Sequence, residues 1–120
     1  MEVVDVAIVG GGPAGATCAA LCATAGLRTL VLEREKFPRE KVCGDCINPG
    51  CWPVLEKLEV AAQIRNSPHA VVDAVEFIAI NGKKLRVDLP YGEDGMISVK
   101  RSIFDNLLLT RARNLGAQIR

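Results

Sequence analysis

Apolar positions along the chain alternate between short continuous runs and periodic faces. Residues 3–9 are a short apolar run ending in glycine, the pattern of a buried parallel strand. Residues 13–25 are rich in alanine, with Leu21 and Cys22 as bulkier neighbours. That composition predicts a tightly packed helix, and Gly26 ends it. Residues 29–32 are a second buried strand. Strand, helix and strand follow without spare residues, which predicts a right-handed parallel crossover.

The next stretch, residues 35–50, is polar and holds Pro38, Gly44, Pro49 and Gly50. It reads as a long loop of the kind that often carries function. Residues 52–60 predict a helix with Pro53 in its first turn and Val54, Leu55 and Leu58 on its apolar face. Residues 71–80 are β-branched and apolar, and Asn81-Gly82 signals a hairpin turn. Leu85, Val87 and Leu89 then alternate with Arg86 and Asp88, the period of a half-exposed strand. Residues 90–95 are a loop and residues 96–99 a short strand. Ser102 and Asp105 resemble a capping box. The helix they would open carries Ile103, Phe104, Leu107 and Leu108 and runs to about residue 115. Gly116 closes it, and residues 117–120 open another buried strand. The expected architecture is α/β: a Rossmann-like parallel nucleotide-binding sheet with an inserted antiparallel β-hairpin. A last strand that has barely begun at Arg120 leads to the expectation of an incomplete domain.

Composition narrows the function classes. At 120 residues the chain is long enough for one domain with a core. Aromatic residues are only 4%, which weakens any base-stacking platform, and a net charge of +1 with interspersed signs excludes a basic nucleic-acid face. Five cysteines, an odd number without a secretory signal, point to reduced thiols and a cytoplasmic setting. Residues 6–27 carry no charge and are long enough to span a bilayer. The Gly-Gly-Gly-Pro core argues against a continuous spanning helix, and the acidic start argues against a signal peptide.

Candidate chemistry begins at Gly10-Gly11-Gly12-Pro13-Ala14-Gly15, a G-x-G-x-x-G turn between a predicted strand and a predicted helix. Gly10 permits the tight turn, Gly12 lets a pyrophosphate approach the backbone, and Gly15 lets the helix pack on the strands. The helix N-terminus then offers free N–H groups and a positive dipole end. Glu33, at the end of the second strand, can accept hydrogen bonds from both ribose hydroxyls and would repel a 2′-phosphate. This pattern alone admits FAD or NAD. Arg34, Arg39 and Lys41 cluster near the phosphate site; Arg34 and Lys41 are the candidates for cofactor phosphates, with a solvated loop as the alternative. Cys43-x-x-Cys46 admits a redox dithiol or, with Cys51 and His69, a zinc site. A second close ligand pair is missing, so no metal is expected. Cys18 and Cys22 read as small core residues, His69 as a solvated histidine and Trp52 as a core or interface anchor.

Three segments together resemble a known family: residues 5–15, then Val31-Leu-Glu-Arg34, then Phe37-Pro-Arg-Glu-Lys-Val-Cys-Gly-Asp45. They are similar to the geranylgeranyl reductase-like branch of the p-hydroxybenzoate hydroxylase flavoprotein superfamily. Arg101 with Phe104-Asp105 and Leu108 is similar to a third motif of that family. The resemblance implies FAD, with NADH or NADPH as electron donor and a small or lipid-like organic substrate. It implies that residues 1–120 are the N-terminal portion of the FAD-binding domain, with the substrate domain absent. It places the backbone of Ala14 on the pyrophosphate and Glu33 on the ribose. Cys43, Gly44 and Cys46 would lie beside the flavin and Arg101 near its phosphate-ribitol region. The family often has glycine where Cys46 stands. Cys43 is the one residue named for catalysis, since no other side chain reads as a general acid or base. The alternatives are a dinucleotide-binding module without turnover, an NAD-binding domain without flavin, or a piece of a flavin-dependent monooxygenase or halogenase. A membrane surface stays open as a partner, because a lipid-like substrate would favour it.

Overall fold

The computed structural model describes residues 3–43, 46–90 and 92–120. In chain order come β1 (Val6–Val9), α1 (Pro13–Thr24) and β2 (Thr29–Leu32), then a long loop and a 3-10 turn (Pro49–Cys51). Next are α2 (Trp52–Lys57), α3 (Ala61–Arg65), β3 (His69–Val72) and β4 (Ala74–Ile78). β5 (Lys84–Asp88), β6 (Met96–Val99), α4 (Arg101–Asn114) and β7 (Gln118–Ile119) complete the chain. β2 lies between β1 and β7 in a parallel sheet, with Val6 opposite Thr29 and Leu30 opposite Gln118. This is the expected α/β architecture.

Small side chains decide how the helices pack. Ala16, Ala19 and Ala20 on α1 are fully buried, which lets α4 approach with Leu108, Leu109 and Ala112. Val31 of β2 lies in the same core. The run expected to be buried on both faces at β1 is covered on one only. Ile8 packs against the core, whereas Val9 is 88% exposed. The helices cover one face of the sheet, and no described residue covers the other at Val9.

Four further expectations are corrected. The helix expected over residues 52–60 divides into α2 and a separate α3, which the pattern did not predict. Glu59, with φ of 58°, reverses the chain after Leu58, while the Glu59 and Val60 N–H groups donate to the Glu56 and Leu55 carbonyls. That is a helix stop usually built on glycine. The strand expected over residues 71–80 starts earlier, at His69, and is interrupted at Asp73. β3 pairs with β6 and β4 with β5, both antiparallel. The bond from Leu89 N–H to the Asp73 carbonyl carries the ribbon across the break. At its tip only Gly82 has positive φ, so the turn is a three-residue loop with Gly82 in the left-handed position. Leu85 and Val87, expected on a half-buried face, are exposed along with Phe77, because the ribbon has no third layer against it among the described residues. The capping box does not form either. α4 begins at Arg101 after Lys100, no side chain caps it, and Asp105 is buried elsewhere.

The ribbon's base is held to the helices by Trp52, which is 2% exposed. Its indole N–H donates to the Gly95 carbonyl at 2.9 Å, and the Arg65 guanidinium stacks on its ring at 4.4 Å. Arg65 also donates to the Glu93 carbonyl and pairs with Glu56. These contacts fix where β6 delivers Lys100 and Arg101.

Two contacts at the start of the sheet yield predictions. A Cβ on Gly15 would lie 1.9 Å from the Gly10 carbonyl oxygen. Backbone oxygen cannot swing aside, so Gly15→Ala is expected to cost about 3 kcal/mol, read as a lower urea-unfolding midpoint; an unchanged midpoint contradicts the contact. Asp5 accepts from the Arg28 backbone N–H at 2.8 Å and from its guanidinium at 2.8 and 3.0 Å. Those bonds to Arg28 lower the Asp5 pKa from 3.8 to about 2. A depressed carboxyl pKa stabilises the fold above the unfolded pKa and loses that effect as pH falls through the folded one. Thermal melts of wild type and Asp5→Asn should therefore differ most above about pH 5 and converge near pH 2. A difference that persists unchanged at pH 2 contradicts this assignment.

Candidate functional site

The glycine turn joins β1 to α1 at the C-terminal edge of the parallel sheet, where open α/β sheets bind ligands. Gly10 has φ of 99°, a conformation that favours glycine. Gly12 is the N-cap of α1 in extended conformation, no side chain caps the helix, and Pro13 occupies its first turn. The first turn holds no acidic residue. The backbone N–H groups at this end are thus left to an external anion. Gly11, a variable position in the motif, is also confined. A Cβ there would meet Leu109 at 3.1 Å and the Glu33 carboxylate at 3.2 Å.

Glu33 sits at the end of β2 and folds back onto this turn. Its Oε2 accepts from the Gly11 N–H at 2.6 Å and its Oε1 from the Glu35 N–H at 2.9 Å. Burial works to raise its pKa, but the N–H groups of Glu35 and Gly11, with the charge of Arg39 nearby, outweigh it and hold the carboxyl below its ordinary value. Each carboxylate oxygen has a second acceptor site, so the ionised group can still receive ribose hydroxyls.

Above the turn stand two guanidiniums. A Cβ on Gly12 would lie 3.6 Å from Arg39 Nη2 and 3.9 Å from Arg101 Nη2. Both arginines are anchored on Asp105, whose residue is 0% exposed. Arg101 binds it with both arms, Nε to Oδ1 at 2.6 Å and Nη2 to Oδ2 at 2.8 Å. Arg39 Nη1 lies 3.0 Å from Oδ2 as an ion pair and, buried, makes no hydrogen bond to any described residue. Arg39 also stacks over the Phe37 ring at 4.6 Å. The Asp105 hydrogen bonds raise the Arg101 pKa above its ordinary value against the effect of burial, and the Cys43 side chain adds to the rise. Arg39 brings a second cation to the turn, whereas the sequence pattern favours Arg34 and Lys41 in this loop. Its pairing with Asp105 spans the loop and α4, and no local spacing reports such a contact.

The other predicted positions lie as follows. Arg34 borders a cavity with Gly10 and Glu33, but its side chain is 90% exposed and pairs with Glu35. Lys41 is exposed. Ala14 is in the first turn of α1. Cys43 lines an open cavity of about 430 Å³ with His69, Ser98, Lys100 and Arg101. Cys46 is half-buried, and the adjoining Ile47 is bridged to Ile97 of β6. Gly44 and Asp45 lie outside the described residues. Cys18, Cys22 and Cys51 face a different, apolar cavity between α1, α2 and α4. Cys18, expected in the core, is exposed there, with its sulfur 4.0 Å from that of Cys22. Among the described residues no three His, Cys, Asp or Glu side chains converge as metal ligands. No described helix is long and apolar enough to cross a membrane.

Comparison with known proteins gives this geometry its setting. Residues 3–120 match the FAD binding domain family model. The chain is 33% identical over 136 residues to the 1H-pyrrole-2-carbonyl-[peptidyl-carrier protein] chlorinase of Pseudomonas fluorescens, covering 96% of this chain and 30% of that protein. Among solved structures it resembles the myxobacterial chondrochloren halogenase CndH, with a TM-score of 0.88 and 27% identity over 100% of this chain and 29% of that one. It also resembles a geranylgeranyl bacteriochlorophyll reductase-like protein of Thermoplasma acidophilum, with a TM-score of 0.75 and 26% identity over 99% of this chain and 30% of that one. The chain thus spans under a third of the length of these relatives. A glycine turn, an ionised Glu33 and a pair of guanidiniums suit the ribose and pyrophosphate of a dinucleotide, and the chain belongs to the FAD-binding domain family of flavoproteins, with FAD as its cofactor.

Proposed function

We propose that this chain holds the adenosine and pyrophosphate end of FAD for an oxidoreductase of the geranylgeranyl reductase-like type. The supporting observation is the pair of guanidiniums over Gly12, where phosphate oxygens would meet both them and the N-terminal N–H groups of α1. In this reading Gly10, Gly12 and Gly15 shape the turn, Pro13 starts the helix and Ala14 offers its backbone. Glu33 holds the ribose, and Arg39 and Arg101 orient the pyrophosphate. Cys43 and Cys46 lie toward the flavin. Arg34 and Lys41 contribute only long-range charge.

The chemistry the bound cofactor supplies is two-electron transfer from NADH or NADPH to an organic substrate or to oxygen. This chain's own residues bind and orient. Arg39 and Arg101 fix one end of an extended ligand, which sets the reach of its other end. Cys43, beside Arg101, is the proposed catalytic candidate. The reductase assignment rests on the Phe37-Pro38-Arg39 to Gly44 loop. A second reading, a flavin-dependent halogenase, is favoured by the similarity to the chlorinase and to CndH. The substrate, small or lipid-like, is common to both readings.

Calorimetry with FAD tests the binding reading. Saturable 1:1 binding is expected near neutral pH. Glu33 has a lowered carboxyl pKa, so its contribution is full above the ordinary value of 4.5 and is lost as pH falls through the folded value. Glu33→Gln should bind about tenfold more weakly at pH 7 and lose that pH dependence. Tight NAD binding without FAD binding overturns the proposal. With FAD in place, reduction of an isoprenoid double bond by NADPH under argon supports the reductase reading. Turnover that requires both oxygen and chloride supports the halogenase.

A further inference from the structure

The buried carboxylate of Asp105 has no role in the binding scheme above except through its neighbours. It is fully enclosed and yet holds two guanidiniums that come from distant parts of the chain. Arg101 opens α4, whereas Arg39 belongs to the long loop after β2 and is braced by Phe37. The same loop continues to Cys43, which lies beside Arg101.

We infer that Asp105 is a positioning residue that holds Arg39 and Arg101 together as one pyrophosphate clamp. The inference rests on the FAD-binding reading. Two guanidiniums converging on one glycine repel each other, and a carboxylate between them removes that repulsion. One negative charge against two positive ones leaves a net single positive charge facing the turn. Asp105 occupies both arms on one side of the Arg101 fork, so the guanidinium plane is fixed before a ligand arrives. The Arg39 Nη1, buried and without a hydrogen bond, leaves that arginine set by charge, stacking and packing. The clamp is therefore built in advance, and binding does not have to order it.

Asp105→Asn separates this role from simple charge. The substitution adds one positive charge at the site, so a purely electrostatic role predicts tighter FAD binding. A positioning role predicts the reverse. We expect FAD affinity of the intact protein to fall about tenfold or more by calorimetry. Adenosine, which has no phosphate and uses Glu33, should bind as it does to wild type. Asp105→Glu, which keeps the charge but displaces it, should fall between the two. FAD affinity equal to or tighter than wild type overturns the proposal, as does an equal loss for FAD and adenosine, which marks general damage to the fold. Should Asp105→Asn not fold, Arg39→Lys supplies the test. It keeps the charge and loses the planar fork, so FAD should weaken about tenfold with adenosine unchanged, and unchanged FAD affinity overturns the clamp. Failure of wild type itself to bind FAD refutes the functional reading, which is a different outcome from any of these.

Discussion

The first turn of α1 lies against Gly10, the residue that follows β1, with no room for a single carbon atom, and the rest of the site follows from that approach. The Gly10 carbonyl oxygen stands where a Cβ of Gly15 would be. A helix so close to its strand directs its N-terminus along the sheet edge, where Glu33 arrives from β2. The same close packing continues along α1 through Ala16, Ala19 and Ala20, and brings α4 within reach. Because α4 is there, Asp105 and Arg101 come close to the turn. A glycine requirement at one contact thus propagates through small-residue packing to the charges beside the glycine turn.

Most of this framework was legible in the sequence, for local reasons. The glycine turn, the alanine-rich helix, Glu33 at the strand end and the stops at Gly26 and Gly116 are each encoded by a residue at its own position. Both glycines have positive φ, and each stop pairs the next N–H groups with carbonyls of the last helical turn. The stop at Glu59 uses the same bonds without glycine, so nothing in its residue type announced it, and the division of α2 from α3 was missed with it. Asp73, which breaks the strand, was similarly silent, because the ribbon is spliced by a partner beyond the second hairpin strand.

The site was legible in part for a related reason. A motif reports residues whose backbone shapes a turn, such as Gly10, Gly12 and Gly15. Arg39, Gly11 and Asp105 act through partners far away in sequence. Asp105 was read as a helix cap from its spacing to Ser102, yet α4 starts too early for that geometry. A carboxylate with two arginines to neutralise is drawn inward, because burial without partners would be far more costly than a lost cap. Arg34, which follows Glu33 in sequence, and Lys41, further along the same loop, are exposed. Proximity along the chain does not report which cation of the loop reaches the turn, and here it is Arg39.

In the proposed complex the pyrophosphate of FAD lies over Gly12, between the Arg39 and Arg101 guanidiniums, with the adenosine ribose on Glu33. A crystal structure of the FAD complex tests that most directly. Phosphate oxygens are expected within hydrogen-bonding distance of both guanidiniums and of the α1 N-terminus, with Asp105 still holding both arginines. Pyrophosphate bound away from the turn, or either arginine swung out into solvent with FAD in place, would contradict it.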